Sequence, residues 1–112
     1  MAGKFVLKKS SNDKFYFGLL ASNGENILKS EMYEAHASAI KGIESVKANA
    51  LNDGRYERKT AKNGEEMFNL KAANGQIVGT SETYSSAAAR DKGIESVKHN
   101  APEAAIDDHT KS

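Results

Sequence analysis

The sequence predicts an α+β fold in which two tandem β-β-β-α repeats share one sheet about a pseudo-two-fold axis. Three observations carry that prediction. Sliding the chain on itself by 51 residues sets residues 5–50 against 56–101 without a gap and gives 20 identities in 46 positions, the mark of an internal duplication. Within each copy, two runs of strand-like alternation flank an Asn-Gly pair, Asn23-Gly24 and Asn74-Gly75, the strongest short-range hairpin signal. Beyond Tyr33 and Tyr84 the apolar period lengthens from two to that of a helix.

The first strand of each copy opens at Phe5-Val6-Leu7 and at Tyr56. A polar turn follows, Ser11-Asn12-Asp13 or Lys62-Asn63-Gly64. The second strand covers Phe15 to Ala21 and Glu66 to Ala72, with Phe17, Leu19 and Ala21 on one face, matched by Phe68, Leu70 and Ala72. The Asn-Gly pairs read as type I′ turns, in which both central residues need positive φ. A third strand is expected over Asn26–Glu31 and Ile77–Glu82, with Ile27 and Val78 facing inward. The helix of each copy carries Ile43, Val46 and Ala50, or Ile94, Val97 and Ala101, spaced i, i+3, i+7. Ser85 or Ser86 suits the N-cap of the second helix, whereas Glu34 is a poorer cap for the first. Gly42 and Gly93 interrupt both helices and read as kinks or splits.

A unit of about 50 residues buries too little surface to be stable alone, and three strands under one helix leave a sheet edge open. Residues 1–112 are therefore read as a single domain made of repeat 1 (5–50), repeat 2 (56–101) and a C-terminal tail (102–112). In the tail, Ala104-Ala105-Ile106 suit a short strand or a core contact, and Asp107 onward is expected to fray.

Charge balances, with 16 Lys and Arg against 15 Asp and Glu and a net charge of +1. Without a basic excess, the electrostatic drive for nucleic acid or anionic membrane is missing. Absent cysteine excludes disulfides and thiolate chemistry. No apolar run approaches the roughly 20 residues that span a bilayer, and the start leads directly into a strand pattern. The expectation is a soluble cytoplasmic protein.

Asn-Gly, then Ser-Glu-x-Tyr, then Lys-Gly-Ile-Glu-Ser-Val-Lys-x-Asn-Ala occur twice in order. The positions are Asn23, Gly24, Ser30, Glu31, Tyr33, Gly42, Ile43, Val46, Asn49 and Ala50, then Asn74, Gly75, Ser81, Glu82, Tyr84, Gly93, Ile94, Val97, Asn100 and Ala101. This pattern resembles the YegP-like family of small bacterial proteins, over nearly the whole chain. The resemblance implies a mixed fold in which two units share a sheet. It implies no catalytic residue, cofactor or substrate.

Read one by one, the chemistry-bearing residues form no catalytic signature. His36, His99 and His109 are not repeated between copies and lack metal-ligand spacing. No nucleophile elbow or phosphate-binding glycine loop occurs. Lys14-Phe15-Tyr16-Phe17-Gly18 faintly resembles the aromatic strand of an RNA-recognition module, but alternation turns Phe15 and Phe17 toward the helices, where bases cannot stack. Ser30, Glu31, Ser81 and Glu82 are a candidate junction site, with the two glutamates pairing across the axis as an acid-base couple. The competing structural reading, that they satisfy backbone donors at a strand-to-helix corner, is favoured because both copies turn the same corner.

The copies differ most on the face away from the helices. Val6, Tyr16, Leu20 and Leu28 are expected there, opposite Glu57, Met67, Lys71 and Gly79 in the second copy. A contiguous apolar patch marks a contact surface. The leading reading is thus a non-enzymatic binding or interaction module without a cofactor, its partner an unknown protein or a second copy. The alternative is a small-molecule or catalytic site at the junction. Nucleic-acid binding through Lys8, Lys9, Lys14 and Lys29 is disfavoured by the net charge.

Overall fold

The computed structural model describes residues 3–110. The elements are β1 (Lys4–Lys9), β2 (Phe15–Leu20), β3 (Asn26–Lys29), α1 (His36–Asn49), a 3₁₀ turn (Asp53–Arg55), β4 (Tyr56–Thr60), β5 (Glu66–Lys71), β6 (Ile77–Thr80), α2 (Ala87–Asn100) and β7 (Ala105–Asp108). The strands form one sheet in the order β4-β5-β6-β3-β2-β1-β7. Each repeat is an antiparallel three-stranded meander followed by a helix, and β3 meets β6 antiparallel at the centre. The pair formed there is Lys29 with Thr80, two residues 51 apart and therefore equivalent in the duplication. The pseudo-two-fold axis passes through that pair.

Both helices lie on one face of the sheet. α1 packs on β2 of its own repeat and on β5 and β6 of the other, while α2 packs on β5 and β3. One core results, filled by Phe5, Leu7, Phe17, Leu19, Ile43 and Val46 from the first repeat and by Phe68, Leu70, Ile94 and Val97 from the second. Neither helix would cover its apolar stripe on its own three strands.

The hairpins differ from the expected type I′ turns. Ala21 N–H donates to Glu25 O at 2.8 Å and Gly24 N–H to Ala21 O at 2.9 Å, which closes a three-residue loop. Only its last residue, Gly24, has positive φ (88°), and Asn23 Oδ1 accepts from Glu25 N–H at 3.0 Å instead of entering the left-handed region. A three-residue loop of this kind is a type I turn closed by one left-handed residue. The Gly75 and Gly64 loops repeat it, and Asp13 at φ 65° holds the corresponding place in the fourth.

The helices also run unbroken through Gly42 and Gly93, where a kink or split was expected. The glycines are there for space. A Cβ on Gly42 would lie 2.8 Å from Tyr33 Cζ, and one on Gly93 2.7 Å from Tyr84 Cζ. Each tyrosine ring slides between its helix and a stacked phenylalanine, Phe17 at 6.2 Å and Phe68 at 6.4 Å between ring centroids. Burial pushes both tyrosine hydroxyls above their usual pKa, and Glu31 or Glu82 adds to it. Ser86 caps α2 by accepting from Ala89 N–H at 3.1 Å, and α1 starts at Ala35 with no side-chain cap.

Leu28 corrects the expected face assignment. It is fully buried, not on the outer face. A bulge lies between Leu19 and Leu20 of β2 and the facing β3, so Leu28 pairs with inward Leu19 and Asn26 with outward Leu20. Ile27 and Leu28 then both turn inward, as the two residues of a bulge opposite one partner do. The Leu28 side chain crosses the seam and fills the space above Gly79, where a Cβ would stand 2.6 Å from Leu28 Cδ2 and 2.7 Å from Cγ.

The tail is not frayed at Asp107. β7 adds to the sheet parallel to β1, with Asp107 beside Val6 and Asp108 beside Leu7. His109 N–H continues the ladder to Leu7 O at 2.8 Å. Side chains pin it on both faces: Lys4 to Asp107 at 3.3 Å and His36 Nε2 to Asp108 at 2.8 Å. The Thr110 hydroxyl and backbone N–H, at 2.6 and 2.8 Å, and then His36 hold the Asp108 carboxyl well below the usual carboxylate range.

Three outcomes are expected. Because each helix depends on the other repeat's strands, a fragment ending at Asn52 should be unfolded or self-associated by circular dichroism and sedimentation. A monomeric, cooperatively melting fragment would contradict this. Gly79→Ala should cost about 1–3 kcal/mol by overpacking and Leu28→Ala about 2–5 kcal/mol by cavity formation. Urea denaturation of the double variant should give less than the sum, since the alanine methyl occupies space the leucine vacated. For Asp108 the folded pKa is depressed, so its contribution is present above about pH 4, the unfolded carboxylate value, and is lost as pH falls toward the folded value. Hydrogen exchange at His109 should therefore speed up on acidification below about pH 4, beyond the intrinsic trend, and Asp108→Asn should abolish that pH dependence.

Candidate functional site

The face away from the helices is built by the alternate residues of every strand. Across its middle row run Val6, Gly18, Lys29, Thr80, Asn69 and Glu57, each paired with its neighbour. Under the duplication Val6 corresponds to Glu57, Gly18 to Asn69 and Lys29 to Thr80. The two halves of one row thus carry the same backbone and different chemistry.

In the second repeat the row is closed by its own hydrogen bonds. Thr80 Oγ1 donates to Asn69 Oδ1 at 2.9 Å, and Asn69 Nδ2 donates to Glu57 Oε1 at 3.1 Å. Lys71 Nζ reaches Glu57 Oε2 at 3.1 Å. The bond from Asn69, then that from Lys71, draws the Glu57 carboxyl below its ordinary pKa. Asn69 itself is buried, and its polar atoms are satisfied within the row.

In the first repeat the same place is open. Gly18 has no side chain of its own; the Asn26 amide leans over it, with Nδ2 2.8 Å from where a Cβ would stand, and a groove of about 290 Å³ lies alongside. Val6, Tyr16, Leu20 and Met32 form apolar walls, while Lys8, Asn26, Lys29 and Ser30 bring polar atoms to its rim. Met32 is 55% exposed, which leaves its thioether free to fold over an occupant. A glycine in a strand interior commonly marks close approach by another group.

Three of the four residues expected to form a partner surface therefore meet in one groove, Val6, Tyr16 and Leu20. Leu28 lies beneath the sheet instead. Gly18, Asn26 and Met32 were missed as groove residues, although Gly18 opposite Asn69 in the other copy was a readable signal. β7 lies edge to edge with β1 and leaves the groove uncovered.

The junction residues have a different geometry. Ser30 Oγ accepts from Phe17 N–H at 2.8 Å and donates to Glu31 O at 2.8 Å. Ser81 repeats both bonds with Phe68 and Glu82, at 2.9 and 2.7 Å. Each serine thus satisfies the backbone where the strand turns toward its tyrosine, which pairs back with Phe15 or Glu66. Glu31 and Glu82 are exposed and lie two residues beyond the Lys29–Thr80 pair in opposite directions. At about 3.3 Å per extended residue that register sets them about 13 Å apart along the strands. Glu82 pairs with Lys29 at 3.8 Å. Of the four, Ser30 alone lines the groove.

Two of the three histidines meet carboxylates of the tail, His36 with Asp108 at 2.8 Å and His109 with Asp107 at 3.0 Å. Among the described residues no three His, Cys, Asp or Glu side chains gather as a metal site would require, and no helix is long and apolar enough to cross a membrane.

Comparison with known proteins fits this architecture. The family described as a domain of unknown function, DUF1508, matches twice, over residues 10–57 and 61–108. Its two matches start 51 residues apart, the offset of the internal repeat; the first ends just inside β4 and the second includes all of β7. The chain is 54% identical over 110 residues to the UPF0339 protein YegP of Shigella flexneri, covering 98% of this chain and all of that one. It is 51% identical over 110 residues to a UPF0339 protein of Pseudomonas aeruginosa, again covering 98% of this chain and all of the relative. The solution structure of the Escherichia coli yegP protein, whose description gives it as of unknown function, superposes with a TM-score of 0.94 at 53% identity, over all of this chain and 97% of that one. A UPF0339 protein from Shewanella oneidensis gives a TM-score of 0.92 at 54% identity, over 98% and 93%. On a match of this length and identity, in both sequence and fold, the chain belongs to the YegP-like UPF0339 family, built from two DUF1508 repeats.

Proposed function

We propose that the protein is a binding module, without catalysis of its own, whose site is the groove on the outer face of the first repeat. One observation carries the reading: the same backbone row is closed by a satisfied Glu57–Asn69–Thr80 network in one repeat, whereas in the other no such network forms and a groove opens beside Gly18 and Asn26. The second repeat shows that the fold accepts side chains there that complete their own hydrogen bonds. Val6, Gly18 and Lys29 complete nothing among themselves. Apolar walls with a few polar groups at the rim describe a site that binds by burial and orients by polar contact.

The reading favours binding over acid-base chemistry because the two corner glutamates lie apart and their serines are committed to backbone. Glu31→Gln should accordingly leave binding at the groove unchanged.

The test transplants the closed row. Val6→Glu, Gly18→Asn and Lys29→Thr copy the second repeat's network into the first, with Asn26→Ile to clear the amide that a Cβ at position 18 would meet at 2.8 Å; Ile77 stands at the equivalent place in the second repeat. The neutral dye N-phenyl-1-naphthylamine should bind the native protein at about one site, and the transplanted protein at least tenfold more weakly, with an unchanged thermal midpoint. Leu20→Lys, which copies Lys71 on the groove wall, should weaken the dye in the same direction. Equal binding by native and transplanted protein would place the site elsewhere and overturn the reading.

A further inference from the structure

The chemistry of the groove narrows its occupant. Resting on the reading above, we propose that it takes a small amphipathic carboxylate, a flat one- or two-ring body lying between Tyr16 and Leu20 with its carboxylate drawn to the rim lysines, Lys8 and Lys29. Size comes first. About 290 Å³ lies at the lower bound of small-molecule pockets, which suits a one- or two-ring molecule better than a large cofactor. A floor made of β2 backbone and the planar Asn26 amide, with Tyr16 and Leu20 on either side of Gly18 along β2, suits a planar group better than a branched one.

Charge comes second. The lining holds two lysines and no carboxylate. Lys29 sits beside Gly18 and Lys8 beside Tyr16 in the strand pairing, so the two ammonium groups rise from neighbouring rows on either side of β2. Lys29 meets Glu82 at 3.8 Å, with both side chains more than half exposed, an ion pair weak enough for a ligand carboxylate to replace. Asn26 and Ser30 supply neutral partners at the same rim. A cationic ligand would meet like charge on two sides, and a neutral one would leave both lysines without a new partner.

A protein partner fits less well. The apolar walls amount to four side chains, whereas stable protein interfaces bury about 1,200–2,000 Å². A concave site of this size accommodates a whole small molecule but only one side chain of a partner.

The experiment compares two probes of one shape, 2-naphthoate and its neutral amide, by chemical-shift titration of the full-length protein. Both should perturb the amides of Val6, Tyr16, Gly18 and Leu20, with naphthoate binding about three- to tenfold more tightly, the range expected for two partly solvated ion pairs. Lys8→Gln with Lys29→Gln should remove that advantage, so that the two probes bind the variant equally. Equal binding of the two probes to the native protein would overturn the carboxylate assignment while leaving the groove as a binding site. Shifts from neither probe at this face would overturn both readings. Sedimentation in the same buffer settles the remaining occupant: a dimer that dissociates on Tyr16→Lys would assign the groove to a second copy and overturn the small-molecule proposal.

Discussion

A sheet seam that lies on a two-fold axis presents equivalent positions to each other, so a residue that is right for one side is opposed by its own copy. Two leucines at positions 28 and 79 would compete for one space above the seam, and two glycines would leave it empty. The chain resolves this by making the positions unequal. Leu28 fills the space and Gly79 vacates it, and the seam closes with native packing from one side only. Everything that crosses the axis depends on that closure: α1 reaching β5 and β6, α2 reaching β3, and the single core beneath them.

Identity and difference between the repeats sort by what each position must do. The conserved pairs hold backbone and helix in place: Ser30 and Ser81 at the strand ends, Tyr33 and Tyr84 under their helices, Gly42 and Gly93 making room for those rings. Divergence is tolerated where one copy's partner has changed. Asn49 Oδ1 accepts from Arg55 Nε at 3.0 Å, but the residue equivalent to Arg55 is Ile106, and the Oδ1 of buried Asn100 is left without a partner. A lost interaction at one copy does not unfold a core that both copies share.

Much of this was legible in the sequence because duplication and alternation are periodic signals. The offset of 51 gave the repeats, and alternation placed Phe5, Leu7, Phe17 and Leu19 inward, as observed. The misses share a cause, since each turns on a relation between strands that a single strand's pattern does not contain. Leu28 reads outward if β3 is regular, and only the mismatch with β2 turns it in. Gly42 reads as a helix breaker until Tyr33 is placed beneath it. Asp107 and Asp108 read as a polar end because their partners, Lys4 and His36, lie 103 and 72 residues away in sequence. For the groove, alternation found the walls that lie on β1 and β2, Val6, Tyr16 and Leu20, and overlooked Gly18 between them, since a glycine contributes nothing to a hydrophobic pattern.

The unequal edges of the sheet complete the asymmetry. β1 and β4 are equivalent strands, yet β1 is covered by β7 while β4 forms the opposite end of the sheet. β4 carries Glu57, Arg58 and Lys59 in succession, and charges of both signs along an edge discourage pairing with another chain. Its Arg58 is further occupied by Asp53 and Asp91, both at 3.3 Å. β1 needs no such guard and can hold Phe5, Val6 and Leu7 in succession. An apolar Val6 on the outer face is therefore tolerable because the tail has already used the strand's hydrogen-bonding edge. With β7 in place, the three strands that carry the groove are all interior, their backbone paired on both sides, and the floor over Gly18 is held rigid before any ligand arrives. Preorganisation of this kind lowers the ordering cost of binding, and it is the first repeat, not the second, that receives it.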